Sequence, residues 1–187
     1  MKKIFWGGVA LISMLLSWSC SHKLDGPNGE GAEVEVLPLS IEDNWLVNPK
    51  KLAQKIDDIN DSLQKVYNRR KGYVPRVVAF LNANPNNPTG KVMGEKDVEL
   101  LTQISQVCLE RGVFVIDDMV YRDITFDENN IAKPIATIPG MFRNTITLFG
   151  LSKSYGMASL RAGFLIADEI IITNAGRVEQ KGSALEI

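Results

Sequence analysis

The sequence has few of the residues that bind metals or cross-link small domains. Two cysteines, Cys20 and Cys108, and one histidine, His22, occur in its 187 residues. Two thiols imply no disulfide framework. No cysteine or carboxylate cluster surrounds His22, so no metal site is expected. Cys108 falls at helical spacing with apolar residues, which predicts a buried thiol.

The chain also lacks a strong charge of either sign and a long apolar run. Its net charge of −1 offers no basic field for nucleic acid. The apolar run from Ile4 to Leu16 is short for a membrane span. No internal repeat is visible, and the hydrophobic content of 45% indicates an ordinary globular domain with one core.

The first 20 residues have the composition of an export signal. Lys2 and Lys3 precede the apolar run, and small residues stand near Cys20. Cys20 could accept lipid in a bacterial lipoprotein signal, although Ser17 occupies the usual leucine position. A plain N-terminal anchor and a start codon placed before a broken gene explain the same residues. Residues 21–32 are rich in glycine and predict a linker, and membrane attachment would occur through the N-terminus. The signal-like segment favours a membrane-anchored or exported protein. A cytoplasmic location is the alternative.

From residue 33 onward, short apolar runs alternate with helical periodicity. This alternation predicts an α/β fold with three layers, α/β/α, and a mostly parallel sheet. Asn48 is predicted to cap a helix with Pro49 at its first position. Arg177 lies in a polar tail and is interpreted as surface charge. The other predicted elements are strands 34–37, 76–82, 113–117, 145–150 and 162–167, and a helix over 94–111.

Three short motifs carry residues of the types that act in catalysis and ligand binding. Lys153, between two serines, follows the β-branched strand 145–150. Asp117 and Asp118 end the apolar strand 113–117 and precede Tyr121, at the edge where open α/β sheets place ligands. The third motif, Asn84-Pro-Asn-Asn-Pro-Thr-Gly90, follows strand 76–82, and its prolines fix a rigid loop. Each motif alone has a structural explanation: a surface lysine, a capping or metal-binding carboxylate pair, and an Asn/Pro turn.

Read together in this order, the motifs resemble the large domain of fold-type I aminotransferases of class I/II, which use pyridoxal 5'-phosphate (PLP). The resemblance runs from about residue 33 to the C-terminus. It implies that Lys153 forms a Schiff base with the cofactor and then acts as general acid and base. Asp118 would hold the pyridinium nitrogen protonated, and Tyr121 and Asn87 would bond the phenolic oxygen. Asp117 is then a cap or a supporting partner.

The resemblance also assigns part of a phosphate site. The family has an arginine eight positions beyond the lysine, where this chain has Arg161. The planar guanidinium suits phosphate, and Ser152 could add a hydroxyl. Gly150 departs from the family pattern, because many members have serine or threonine there. Losing one neutral hydrogen bond weakens binding by about 1 kcal/mol.

The resemblance implies a PLP-dependent aminotransferase, or a truncated relative of one, acting on an amino acid and a 2-oxo acid as a homodimer. The matched region is an incomplete large domain. It lacks an identifiable N-terminal phosphate loop and the small domain that binds the substrate carboxylate, so activity stays open. Within PLP enzymes, a lyase, decarboxylase or synthase is an alternative. Outside enzymes, the alternatives are an anchored binding or structural module that retains the half-core, and a gene fragment.

Overall fold

A computed structural model describes residues 3–7, 33–67, 74–167, 169–174 and 177–183 of the chain. The helices are α1 (Pro49–Tyr67), α2 (Val98–Glu110) and the short α3 (Leu151–Ser154). The strands are β1 (Lys3–Gly7), β2 (Glu33–Leu37), β3 (Val77–Ala83), β4 (Phe114–Asp118), β5 (Thr145–Gly150), β6 (Ala162–Ile166), β7 (Glu169–Asn174) and β8 (Arg177–Ser183).

All eight strands belong to one sheet with the order β2-β1-β3-β4-β5-β6-β7-β8. The strands from β2 to β5 in this order are parallel. Strands β6, β7 and β8 are added to the edge as antiparallel neighbours. The mostly parallel sheet predicted from the alternating pattern is therefore confirmed.

The two long helices cover one face of this sheet. Helices α1 and α2 contact each other, and their apolar residues share one buried cluster with Phe80 and Val115 of the strands. On the opposite face, Phe114 is 50% exposed and Ile146 is 37% exposed. The described residues thus supply two of the three predicted layers. Buried in α1 are Leu52, Ile56, Ile59 and Leu63, and in α2 Leu101, Ile104, Ser105 and Cys108.

Helix α1 begins where the sequence predicts. The Oδ1 atom of Asn48 accepts hydrogen bonds from the backbone N–H groups of Lys50 at 3.0 Å and Lys51 at 3.3 Å. Pro49 takes the first helical position, where a backbone N–H would have no helical partner. The Nδ2 atom of Asn48 donates to Asp43 at 2.7 Å, which fixes the capping side chain. Lys51 also pairs with Asp43, and together these donors lower the pKa of Asp43 to about 2.

Replacing the cap should destabilise the domain measurably. The Asn48→Ala substitution removes the acceptor for two N–H groups, and we expect it to lower the free energy of unfolding by about 1 kcal/mol. The Asn48→Ser substitution keeps an oxygen within reach of the same groups and should retain most of that stability. Urea unfolding followed by circular dichroism measures both. Equal stability of the alanine and serine variants would show that the cap contributes nothing.

The C-terminal part of the sheet contains two strands that the sequence analysis did not predict. The polar segment around Arg177 forms β8 (Arg177–Ser183), which pairs antiparallel with β7. The run Ile170-Ile171-Ile172-Thr173 in β7 has the β-branched composition of a strand. Its partner β8 is polar and has no such pattern, so only the pairing reveals it.

Part of the signal-like segment contributes a strand. Lys3–Gly7 forms β1, between β2 and β3. A short run of apolar and aromatic residues is compatible with either a strand or a signal core. Cys20, His22 and the predicted linker 21–32 lie outside the described residues. Among the described helices, none has the length and apolar character needed to cross a bilayer.

Candidate active site

The three motifs meet at one edge of the sheet. Strands β3, β4 and β5 are adjacent and parallel, and their register pairs Ala83 with Asp118 and Asp118 with Leu148. The ladder continues past the strand ends: the N–H of Asn84 donates to the Asp118 carbonyl at 3.0 Å, and that of Met119 to the Leu148 carbonyl at 2.9 Å. The carboxyl ends of the strands therefore bring the candidate residues to a common edge.

The loop that carries Asn87 is held at both of its ends. Asn84 is fully buried, and its amide donates to the Met93 carbonyl at 2.8 Å and accepts from the Met93 N–H at 2.9 Å. Within the loop, the Gly90 N–H donates to the Asn86 carbonyl at 2.7 Å, and Thr89 Oγ1 donates to Asn86 Oδ1 at 2.8 Å. Asn84 and Asn86 thus hold the loop in shape while Asn87 stays half-buried at its tip. The sequence analysis gave a role to Asn87 but none to these two.

Asp117 and Asp118 point to opposite faces of the sheet, as successive strand residues do. Asp117 lies on the helix-covered face and is fully buried. It accepts hydrogen bonds from Asn82 Nδ2 and from the Ile135 N–H, each at 2.8 Å. Burial raises the pKa of Asp117 to about 6 against the opposing effect of these two donors. Ile135 begins a short 3-10 helix, Ile135–Thr137, so Asp117 acts as a structural acceptor for that turn.

Asp118 keeps one carboxylate oxygen available. Its Oδ1 atom accepts from the Val120 N–H at 3.1 Å. Among the described residues no donor reaches its Oδ2 atom. Burial raises the pKa of Asp118 above its ordinary value. A half-buried carboxylate with a free oxygen can accept an N–H from a ligand at this edge of the sheet.

Lys153 lies close to Tyr121. It belongs to α3, which follows β5 directly, and its Nζ atom is 5.8 Å from the centroid of the Tyr121 ring. Ser154 Oγ donates to the Val120 carbonyl at 3.2 Å, which ties α3 to the turn after β4. Within the described part of the chain, Lys153 Nζ has no hydrogen bond or ion pair. Lys133, by contrast, pairs with Glu95 at 2.7 Å.

Ser152 and Arg161 lie near the same end of β5. Ser152 is half-buried in α3. Arg161 precedes β6, whose Gly163 pairs with Gly150 at the end of β5. The backbone of Arg161 is left-handed, with φ of 52°. This conformation is strained in non-glycine residues and recurs at ligand sites. Arg161 is exposed, and within the described part of the chain its guanidinium makes a single contact, at 3.5 Å from the Ala158 carbonyl.

The glycine that departs from the family pattern lies in tight surroundings. A Cβ atom placed on Gly150 would stand 3.3 Å from Cγ1 of Val120. A serine or threonine at this position would require Val120 to move by a few tenths of an ångström. The missing hydroxyl therefore coincides with close packing between β5 and the turn after β4.

The residues present fit the ring end of PLP better than its phosphate end. Asp118 offers an acceptor for the ring N–H, Tyr121 and Asn87 offer donors for the phenolic oxygen, and Lys153 offers an unpaired amine. In the described ranges, Asp118 Oδ2, Tyr121 Oη, the Asn87 amide and Lys153 Nζ make no hydrogen bond to a protein group. For the phosphate, the predicted set supplies only Ser152 and Arg161.

A cavity of about 360 Å³ adjoins the candidate residues. One wall is the loop from Pro85 to Val92, and the other is the segment from Tyr121 to Asn130. Asn87 and Tyr121 both line it, whereas Asp118, Lys153, Ser152 and Arg161 do not. Nothing in the sequence analysis pointed to this cavity, because its walls come from two loops that are distant along the chain.

Comparison with known protein families finds a match over most of the chain. The profile described as "Aminotransferase class I and II" matches residues 21–183. An aspartate aminotransferase from Musicola paradisiaca is 34% identical over 153 residues, which are 80% of this chain and 32% of the relative. Aromatic-amino-acid aminotransferase 2 from Thermococcus litoralis is 36% identical over 110 residues, 58% of this chain and 27% of the relative. The chain thus spans about a third of the curated relatives it matches.

Solved structures show the same fold. The aromatic aminotransferase from Pyrococcus horikoshii superposes with a TM-score of 0.62 at 24% identity, over 89% of this chain and 36% of that one. A PLP-bound putative aminotransferase from Clostridium difficile gives a TM-score of 0.61 at 19% identity, with 89% and 35% covered. The arrangement of strands that carries the three motifs therefore recurs in these proteins.

Proposed function

Since this chain belongs to the family of class I and II aminotransferases, we propose that it binds PLP and transfers amino groups between amino acids and 2-oxo acids. The observation that carries this proposal is the position of Asn87, Asp118, Tyr121 and Lys153 at one edge of the sheet, each with a polar atom that makes no hydrogen bond to another described residue. Transamination is preferred over elimination or decarboxylation because the curated relatives are named aminotransferases.

Each residue has a defined task in this proposal. When bound, PLP supplies an aldehyde that condenses with amines and a pyridinium ring that withdraws electrons from the substrate α-carbon. Asp118 Oδ2 would accept a hydrogen bond from the protonated ring nitrogen. Tyr121 Oη and Asn87 Nδ2 would donate hydrogen bonds to the phenolic oxygen and orient the ring. Lys153 Nζ would bind the aldehyde and, once displaced by the substrate amine, would accept and return the substrate α-proton.

The phosphate end depends on Ser152 and Arg161. The exposed guanidinium of Arg161 can bind two phosphate oxygens in a charge-assisted pair. We propose that a second copy of the chain completes the assembly as a homodimer, because the large side chains of Tyr155 and Leu160, near the candidate site, are exposed.

The experiment that tests the proposal is site-specific trapping of the cofactor. The full chain is mixed with PLP, reduced with borohydride and mapped by peptide mass spectrometry. The expected result is one dominant adduct on Lys153, preceded by a visible absorbance band. Adducts scattered over the surface lysines, or no adduct, would contradict the proposal. A positive result is followed by an assay for 2-oxo acid formation.

The N-terminal residues support a second candidate, an anchored module without catalysis. Lys2 and Lys3 before an apolar run, with Cys20 after it, fit an export or lipoprotein signal, and the family match starts at residue 21. Such a protein would be lipidated at Cys20, and its processing would remove β1, which lies between β2 and β3 in the sheet. Mass spectrometry of the membrane fraction tests this. Full-length, unmodified protein recovered only in the cytosolic fraction would contradict it.

A further inference from the structure

We infer that the cavity between the Pro85–Val92 loop and the Tyr121–Asn130 segment binds the apolar side chain of the amino-acid substrate. The inference rests on the proposed function, because it places the substrate beside a cofactor held by Asn87 and Tyr121. Both residues line the cavity, so a substrate that contacted Asn87 and Tyr121 would lie at the cavity entrance. The volume of about 360 Å³ is within the range of small-molecule sites.

The walls of the cavity are preformed. The Asn84–Gly90 loop is braced by the bonds of Asn86 and Thr89 described above. On the other side, the Ile124 N–H donates to the Tyr121 carbonyl at 3.0 Å, and Thr125 Oγ1 donates to the Asp127 carbonyl at 2.9 Å. Walls fixed by internal hydrogen bonds lose little conformational entropy when a ligand binds.

The composition of the lining selects against charge. Its apolar members are Pro85, Pro88, Val92, Ile124 and Phe126, and none of the described residues lining the cavity is a lysine, an arginine or a histidine. An acidic substituent would meet the Asp127 carboxylate and no cation. A charged group transferred into apolar surroundings without a partner loses its hydration energy. An aliphatic or aromatic side chain carries no such penalty.

Phe126 strengthens the case for an apolar ligand. Its side chain is fully exposed, at 102%, although it lines the cavity. Exposing a whole phenyl ring to water is unfavourable, and ring contact with an apolar substituent would reduce that exposure. Ile124, on the same segment, is 38% exposed and offers a second apolar contact.

The test compares three probes that share a carboxylate and differ in their substituent: 3-phenylpropanoate, glutarate and 5-aminopentanoate. Their dissociation constants for the full chain are measured by NMR saturation transfer. We expect 3-phenylpropanoate to bind at least about tenfold more tightly than either charged probe. Equal affinities, or a preference for glutarate, would overturn the inference. Preference for 5-aminopentanoate would also overturn it and would assign a basic substituent paired with Asp127.

Matched variants locate the binding. Ile124→Asp places a carboxylate in the cavity and should weaken 3-phenylpropanoate binding about tenfold. Ile41→Asp makes the same change at a residue that is 70% exposed and does not line the cavity, so affinity should be unchanged. Phe126→Ala removes a phenyl ring that the protein does not bury. We expect about threefold weaker binding of 3-phenylpropanoate and an unchanged free energy of unfolding in urea. Unchanged affinity in both cavity variants would overturn the location.

PLP trapping on the same wild-type sample separates the two proposals. Selective binding of 3-phenylpropanoate without an adduct on Lys153 would contradict the proposed function and support an apolar binding cavity. An adduct on Lys153 with no preference for 3-phenylpropanoate would support the proposed function and overturn the inference about the cavity. Loss of both would overturn both.

Discussion

Replacing Lys153 with alanine is expected to abolish the specific borohydride-stable attachment of PLP to this chain. The Nζ atom of Lys153 lies 5.8 Å from the Tyr121 ring centroid and has no partner within the described residues. It is therefore free to reach a ligand held at the edge where β3, β4 and β5 end. Among the described residues that meet there, Lys153 is the one lysine, so the adduct should disappear rather than decrease. Peptide mapping after reduction measures the loss.

Lys133→Ala is the matched control for that result. The Nζ atom of Lys133 is engaged by Glu95 at 2.7 Å, and its contact with the site is made by the backbone, whose carbonyl accepts from Asn84 Nδ2 at 3.3 Å. Alanine keeps that carbonyl and removes only an ion pair whose acidic partner is 79% exposed, which has little effect on stability. The adduct on Lys153 should persist. Equal loss in the two variants would mean that PLP labels surface amines at random.

A second readout shows that Lys153→Ala acts locally. Lys153 is exposed, and α3 is anchored to the turn after β4 by Ser154. Alanine is a good helix former, so the urea unfolding transition should be unchanged. A variant that loses both the adduct and its stability would report unfolding and not a missing amine.

The parts of the fold that could be predicted from the sequence are those fixed by local patterns. The Asn48-Pro49 pair marks the start of α1 because capping depends on neighbouring residues. Apolar β-branched runs mark β3, β4 and β5, and parallel strands bring their carboxyl ends together. Those two facts suffice to bring Asn87, Asp118 and Lys153 to one edge.

The remaining features depend on contacts between distant residues. Asp117 and Asp118 are chemically identical in the sequence, and only the register of β4 with β3 shows which of them faces Asn82. The polar strand β8 is stabilised by its pairing with β7. The composition of β8 alone does not indicate a strand. The cavity arises from two loops, each of which resembles an ordinary turn when considered alone.

Loss of Asp117 is expected to have the largest effect on stability. Its carboxylate accepts from Asn82 Nδ2 and from the Ile135 N–H, each at 2.8 Å, inside the core. Asp117→Ala leaves both buried donors without an acceptor, at about 1 to 3 kcal/mol each. A loss of about 2 to 6 kcal/mol is a large share of the stability of a domain. Urea unfolding should show this loss, and Asp117→Asn, which keeps one oxygen, should lose less.

The pH dependence of stability provides a sharper test of the same residue. Burial raises the pKa of Asp117 in the folded state from 3.8 to about 6, so the folded state binds its proton more tightly than the unfolded state does. The resulting stabilisation is complete below about pH 4 and is lost as the pH rises through about 6. Its full size is on the order of 3 kcal/mol.

Asp117→Asn cannot titrate at this position and isolates the effect. The free energy of unfolding of the wild type minus that of Asp117→Asn should fall between pH 4 and pH 7 and then level off. Carboxylates remote from Asp117 contribute equally to both proteins and cancel in the difference; the neighbouring Asp118, whose charge also raises the pKa of Asp117, is the exception. Urea unfolding at several pH values measures it. A difference that is constant or that grows with pH would show that Asp117 stays ionised in the folded protein, with its two donors outweighing the effect of burial.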